Sequence, residues 1–295
     1  MGAWGDLSCK SSRRPLHRHD RVCRTMTAEW PLDPHAFAAY YKFAPAALAL
    51  RECIRLQAVR HLELPEPILD VGCGDGVFAR LAYPGKQTWG IDINPTELQR
   101  AQSTHSYSTL ICGNVCTVDL PPRFFGSAIA NCSLEHVPDL GAALRNIHGA
   151  LKPDAPFVLI VPTPTWTNRL ALVEALNKAG FYGLGRAYGE TLDQVFRHVH
   201  MYDGPTWVRH LEASGFDRCE VTKIAQRGVS WAFDALLWPS LLGYVNKRMT
   251  GRWVLLPRLR ALTSDVVRLS LDALASRVPD AEEAAEYLIV CRTRP

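Results

Sequence analysis

The sequence predicts an α/β fold built on a mainly parallel sheet. Three observations carry that reading. From residue 67 to residue 162 short apolar runs alternate with amphipathic stretches, the pattern of repeated βαβ units. The first run opens into glycines at alternate positions, Gly72, Gly74 and Gly76, and then into a helical stretch. The second run ends on a carboxylate, Asp92, about 20 residues after that loop, where nucleotide-binding sheets place the group that meets a ribose.

The elements follow in order. Residues 1–25 carry Lys10, Arg13, Arg14, Arg18, Arg21 and Arg24 against Asp6 and Asp20, and have no apolar stretch of the signal-peptide kind. They read as a disordered basic leader, with Met26 as an alternative start. Between 33 and 62, Phe37, Tyr40, Tyr41 and Phe43, then Leu48, Cys53, Ile54, Leu56 and Val59, fall at helical spacing and predict two short helices. Strands are predicted at Pro67–Gly72, Gln87–Ile93, Thr109–Gly113, Gly126–Cys132 and Pro156–Pro162, with helices near 75–84, 95–103 and 139–151 between them. Phe157-Val158-Leu159-Ile160-Val161 is continuously apolar, as a strand covered on both faces must be. After residue 163 the pattern is less regular. Thr206–Ser214 predicts a helix closing at Gly215, and Phe216–Ile224 predicts a strand. A helical insertion at 229–284 then leads to a last strand, Ala285–Arg292, so that the core spans 26–228 and 285–295.

Composition narrows the function. At 47% hydrophobic and 21% charged residues the chain is of the globular type. No uninterrupted apolar run reaches the roughly 18 residues of a membrane span. The net charge of +4 resides in the leader, and the remaining 27 basic and 27 acidic residues balance, which argues against a nucleic-acid partner. Nine cysteines, an odd number with no C-x-x-C pair, read as reduced thiols in a cytoplasmic compartment. Cys112 and Cys116 lack a second ligand pair, and His198-x-His200 lacks a convincing third ligand, so no metal site is expected.

The loop Ile68-Leu69-Asp70-Val71-Gly72-Cys73-Gly74-Asp75-Gly76 is G-x-G-x-G, not the G-x-G-x-x-G of dinucleotide folds. Glycines let the backbone approach a ligand, and the helix that follows offers free N–H groups. Asp92 can accept two hydrogen bonds from vicinal hydroxyls.

At these motifs the chain resembles the class I S-adenosylmethionine-dependent methyltransferases, specifically their small-molecule branch. The resemblance rests on Leu69–Gly76, Gly90-Ile91-Asp92-Ile93, Cys132-Ser133-Leu134-Glu135-His136-Val137-Pro138-Asp139, and Leu144–Leu151 followed by Lys152-Pro153, within residues 65–165. It implies a Rossmann-like, seven-stranded sheet with helices on both faces and an antiparallel last strand. It implies S-adenosylmethionine as cofactor. Gly72, Cys73, Gly74 and Gly76 would hold its methionine part, supported by Asp70. Asp92 would bind the ribose hydroxyls, Ile93 would pack on the adenine, Asn114 and Val115 would meet the adenine edge, and Asn131 and Cys132 would line the methionine side. Tyr41, on a helix that closes over the cofactor in such proteins, joins this set. Position 114 departs from the family's usual Asp, although an amide oxygen still accepts a hydrogen bond. Position 126 is Gly where an Asp is common.

Methyl transfer from a sulfonium needs alignment and exclusion of water more than acid catalysis. An oxygen acceptor would also need a base, most often His. His200 is the first candidate and His136 the second; Glu135-His136 also has a structural reading.

The stretch 229–263 holds Trp231, Phe233, Trp238 and Tyr244, followed by Lys247, Arg248, Arg252, Arg258 and Arg260. Trp231, Ala235, Trp238, Leu242, Val245 and Met249 recur at spacings that would form one buried helical face. This region reads as a cap, as a lid over a hydrophobic pocket, or as a peripheral contact with the inner membrane face. The expected function is methyl transfer to a small lipophilic or aromatic acceptor. The alternatives are a macromolecular methyltransferase acting on RNA or protein, and a cofactor-binding partner without turnover; a nicotinamide dehydrogenase fits the loop least well.

Overall fold

The computed structural model describes residues 24–25, 30–250, 253–278 and 283–294. Residues 1–23 of the predicted leader, the alternative start Met26, and Arg252 lie outside the described residues.

Among the described residues eight strands form one sheet: β1 Arg24–Thr25, β2 Ile68–Val71, β3 Thr88–Asp92, β4 Thr109–Cys112, β5 Ser127–Asn131, β6 Pro156–Pro162, β7 Phe216–Ile224 and β8 Glu286–Thr293. Their order is β1-β7-β8-β6-β5-β2-β3-β4. Strands β2 to β6 pair in parallel, whereas β8 runs antiparallel to both β6 and β7. This is the predicted sheet, each strand displaced by no more than a residue or two. The addition is β1, where Arg24 and Thr25 pair in parallel with Thr222 and Lys223 at the edge.

Central strands are covered on both sides, which explains their unbroken apolar runs. Ile68, Ile129, Val158 and Ile160 face one core with the helices α1 (Pro34–Tyr41), α2 (Ala46–Val59) and α3 (Val77–Ala82). Their neighbours Leu69, Ala128, Ala130, Phe157 and Leu159 face the other. Helix α4 (Pro95–Gln102) follows β3, and α5 (Leu140–Ala150) follows β5. Side-chain caps start these helices where the sequence changes period. Asp33, Asn94 and Asp139 accept from Ala36, Thr96 and Ala142 N–H at 2.8, 3.0 and 2.8 Å.

The irregular stretch after β6 folds as α6 (Ala171–Lys178) and α7 (Tyr182–Phe196), followed by α8 (Gly204–Ala213). The insertion forms α9 (Arg227–Thr250), α10 (Pro257–Ala261) and α11 (Ser264–Ala275). Its buried face differs from the expected one. Val229, Ala232 and Phe233 are buried, while Ala235, Trp238, Val245 and Met249 are exposed. The rotation is fixed by Asp234, whose carboxylate is buried and accepts from Leu172 N–H at 2.7 Å and Tyr188 O–H at 2.6 Å. A buried carboxylate must take the side with partners, and this turns the expected stripe outward. No helix among the described residues is long and apolar enough to cross a membrane.

Candidate active site

The glycine loop joins β2 to α3. Gly72, Gly74 and Gly76 take φ values of +73°, +53° and +76°. At Gly72 a Cβ would also lie 2.3 Å from Ser133 Cβ, so this position has neither the conformation nor the room for a side chain. Ser133 is fixed there because its hydroxyl donates to Val71 O at 2.7 Å. The N–H groups of Gly72 and Cys73 donate to Ile91 O at 2.8 and 3.0 Å. Asp92 completes the brace: Oδ2 accepts from Gly74 N–H at 2.9 Å and Oδ1 from Asn94 N–H at 2.8 Å. Each of its oxygens keeps a further lone pair.

A cavity of about 380 Å³ opens at the carboxyl ends of β2, β3 and β5, where open α/β sheets bind ligands. Of the residues predicted to meet the cofactor, Gly72, Asp92, Ile93, Asn114, Val115 and Cys132 line it. Ile93 is 71% exposed, an apolar wall with nothing packed on it. Asn114 Oδ1 accepts from Cys116 N–H at 2.9 Å, which holds the amide at the rim. Cys132 has a φ of +48°, uncommon for a residue with a side chain. An acidic group for hydroxyls, an exposed apolar wall and a close backbone approach fit a nucleoside-bearing cofactor.

The other predicted cofactor residues do not line the cavity. Cys73, Gly74 and Gly76 belong to the loop behind it. Asp70 is buried and accepts from Tyr83 O–H at 2.7 Å and Tyr107 O–H at 2.8 Å. Burial pushes its carboxyl up to about 6, against the two tyrosine bonds. The Tyr107 ring in turn crowds Gly76, where a Cβ would come within 2.8 Å. Asp70 thus braces the loop from behind through two tyrosines that the sequence reading did not single out. Asn131 donates to Glu52 at 2.9 Å and does not line this cavity. Tyr41 stacks on Phe37 at 5.4 Å and lies under the Arg260 guanidinium at 4.2 Å. It joins α1 to the insertion.

A second cavity, about 180 Å³, shares Cys132 and His136 with the first. Trp166, Phe196 and Phe233 give it aromatic walls, and Arg51, Arg55 and Glu286 a charged base. Arg51 pairs with Glu286, and its guanidinium lies 4.4 Å from the Phe233 ring centroid. Arg55 donates to both Glu286 oxygens, at 3.0 and 2.7 Å. Burial alone would raise the Glu286 carboxyl, but Arg55 and Arg51 bring it down to about 2. Of these six residues the sequence singled out only Phe233, as one of the aromatics of a possible lid; the other five come from four separate segments.

The two histidine candidates stand differently. His136 lines both cavities. Its Nδ1 lies 3.1 Å from Arg197 O. A carbonyl can only accept, so Nδ1 carries the proton and Nε2 keeps its lone pair. His200 lines neither cavity. Its Nε2 donates to Val137 O at 2.7 Å, and its Nδ1 faces Tyr202 Oη at 3.0 Å. With both ring nitrogens engaged, His200 ties the 135–137 turn in place.

The model of a methyltransferase domain matches residues 42–221. The chain belongs to the methyltransferase-domain family. Its members use S-adenosylmethionine as methyl donor, the cofactor that the first cavity fits. Among its relatives, an uncharacterized methyltransferase of Mycobacterium tuberculosis is 32% identical over 107 residues, covering 35% of this chain and 54% of the relative. The chain therefore spans about half the length of that relative. A ubiquinone biosynthesis O-methyltransferase of Rhodopseudomonas palustris is 29% identical, over 59% of this chain and 74% of its own. Among solved structures, an S-adenosylmethionine-dependent methyltransferase from Thermotoga maritima superposes with a TM-score of 0.52 at 14% identity, covering 88% of this chain and 93% of that one. That likeness shows the fold.

Proposed function

We propose that this protein transfers the methyl group of S-adenosylmethionine to a small lipophilic or aromatic acceptor. The observation that carries the reading is the pair of cavities meeting at Cys132 and His136. One has the glycine loop and Asp92; the other has aromatic walls. When bound, the cofactor supplies an electrophilic methyl carbon on a sulfonium. Gly72, Asp92, Ile93, Asn114 and Val115 hold it, and Asp70 keeps the loop in shape. Trp166, Phe196 and Phe233 orient the acceptor and exclude water. His136 Nε2 accepts the acceptor's proton, while His200 positions the turn that carries His136. A cavity of about 180 Å³ suits a small acceptor, below the usual range of drug-sized sites. Similarity to a ubiquinone biosynthesis O-methyltransferase supports an oxygen acceptor.

The test is release of S-adenosylhomocysteine across a panel of phenolic, aliphatic and macromolecular acceptors. Turnover confined to small apolar acceptors, with KM raised at least tenfold by Phe233→Ala, supports the reading. Turnover on RNA or protein alone would replace it with the macromolecular alternative. Cofactor binding without any turnover would favour a non-catalytic partner.

The insertion adds a partner of a different kind. Trp238, Tyr244, Met249, Leu255, Leu256, Leu259 and Leu262 are exposed, apolar side chains that an interface would cover. Of the five basic residues, Lys247 lies 3.7 Å from Glu97 and Arg260 is held on Tyr41, whereas Arg248 and Arg258 are exposed. We propose that this surface docks on an anionic membrane, apolar side chains dipping in and the two arginines meeting headgroups. Such docking places the acceptor cavity, which α9 walls with Phe233, beside a source of lipophilic acceptors.

A further inference from the structure

Three potential metal ligands converge at the wall between the cavities. Glu135, His136 and His198 each offer a ligand atom, and these atoms all lie within 4.8 Å of one another. Sequence reading paired His198 with His200 and found no third ligand. The fold pairs His198 with His136 instead, their rings stacked at 5.5 Å.

We propose that Glu135, His136 and His198 form a binding site for a divalent first-row transition metal ion such as zinc. Two nitrogens and one carboxylate oxygen suit zinc, manganese or iron, which leave further coordination positions open.

The surroundings are those of a metal site. Metal-bound histidines usually donate their second ring nitrogen to a carboxylate or a backbone carbonyl. Both histidines here do so. His198 Nδ1 lies 3.2 Å from Asp193 Oδ1, and that oxygen is fixed by Trp166 Nε1–H at 2.7 Å. His136 Nδ1 donates to Arg197 O at 3.1 Å. These bonds leave Nε2 of both rings with its lone pair. Glu135 is 1% exposed, and its Oε2 has no hydrogen-bond partner among the described residues. A buried carboxylate oxygen without a donor is costly, and a cation beside it would remove that cost. Ligand bonds of about 2.0–2.2 Å would draw the three atoms closer together.

His136 and Glu135 border the second cavity, so the open coordination positions face it. With the ion bound, His136 Nε2 is a ligand and not the proton acceptor; an acceptor hydroxyl there can be a further ligand and gives its proton to solvent. That role rests on the proposed acceptor cavity; binding of the ion does not.

The experiment is a zinc titration of the metal-stripped protein, without donor or acceptor, by competition with a chromophoric chelator. One zinc per chain is expected. His136→Ala and His198→Ala should each weaken it at least tenfold, and Asp193→Asn by the 10–100-fold typical of residues that orient metal-bound histidines. Cobalt(II) titrated into the unsubstituted protein gives a second readout that does not depend on the variants. Visible d–d absorption without a thiolate charge-transfer band supports nitrogen and oxygen ligands. Absence of stoichiometric zinc binding would overturn the proposal. So would unchanged binding in His198→Ala, or a cobalt–thiolate band showing that the cysteines hold the metal. Zinc binding without methyl transfer would leave this site intact and remove the acceptor reading.

Discussion

Replacing Asp92 with alanine separates a ligand-binding carboxylate from a purely structural one. Its two oxygens already accept Gly74 N–H at 2.9 Å and Asn94 N–H at 2.8 Å, and its remaining lone pairs line the first cavity. Bonds from ribose hydroxyls to an ionised carboxylate are worth about 1.5–3 kcal/mol, because one partner is charged. Their loss should weaken S-adenosylhomocysteine binding by roughly 10- to 150-fold. The two backbone N–H groups lie near the surface, where water replaces the lost acceptor. Stability should therefore fall by only about 1 kcal/mol per bond, and the fold should survive. Calorimetric titration with S-adenosylhomocysteine, alongside a urea melt, measures both effects. An unchanged dissociation constant in a folded Asp92→Ala protein would refute the assignment and leave Asp92 as a brace for the loop.

Other expectations follow from the same geometry. Gly72→Ala should cost about 2–5 kcal/mol of stability, combining a left-handed backbone with overpacking, whereas Gly74→Ala, with nothing within 4 Å of its Cβ, should cost about 1–3 kcal/mol for the backbone alone; equal melting temperatures would contradict this. Glu286 has its carboxyl lowered from the ordinary 4.5 to about 2, so it stabilises the fold above pH 4.5 and loses that contribution as pH falls toward 2. The amount is about 3 kcal/mol, and urea melts at pH 7 and pH 3 should show it shrinking in the native protein while Glu286→Gln, destabilised at pH 7 because Arg51 loses its carboxylate and Arg55 keeps only Glu52, lacks that component. For the membrane surface, sedimentation with anionic vesicles should be salt-sensitive and weakened by Arg248→Glu with Arg258→Glu; absence of binding at low salt would remove the membrane reading.

The central strands were legible because they are short runs of mostly apolar residues, and the helices between them because Asp33, Asn94 and Asp139 mark helix starts chemically. The lining of the first cavity was legible for a similar reason, since the glycine loop and Asp92 belong to adjacent strands. Helix α7 was hidden by Gly183, Gly185 and Gly189, which lower local propensity. It forms through packing, with Gly189 fitted against Thr167 and Gly185 against Asn177. The buried face of α9 could not be read because apolar residues occur all round it; bonding of Asp234 decided it. Pattern alone also could not join His136 to His198, or Arg51 and Arg55 to Glu286. These residues meet through the order of strands, not through sequence spacing.

The central claim is that the first cavity is built for S-adenosylmethionine. Calorimetry of the full chain with S-adenosylhomocysteine and, separately, with NAD tests it most directly. The account predicts saturable, one-to-one binding of S-adenosylhomocysteine and none of NAD. Binding of NAD with no binding of S-adenosylhomocysteine would contradict it.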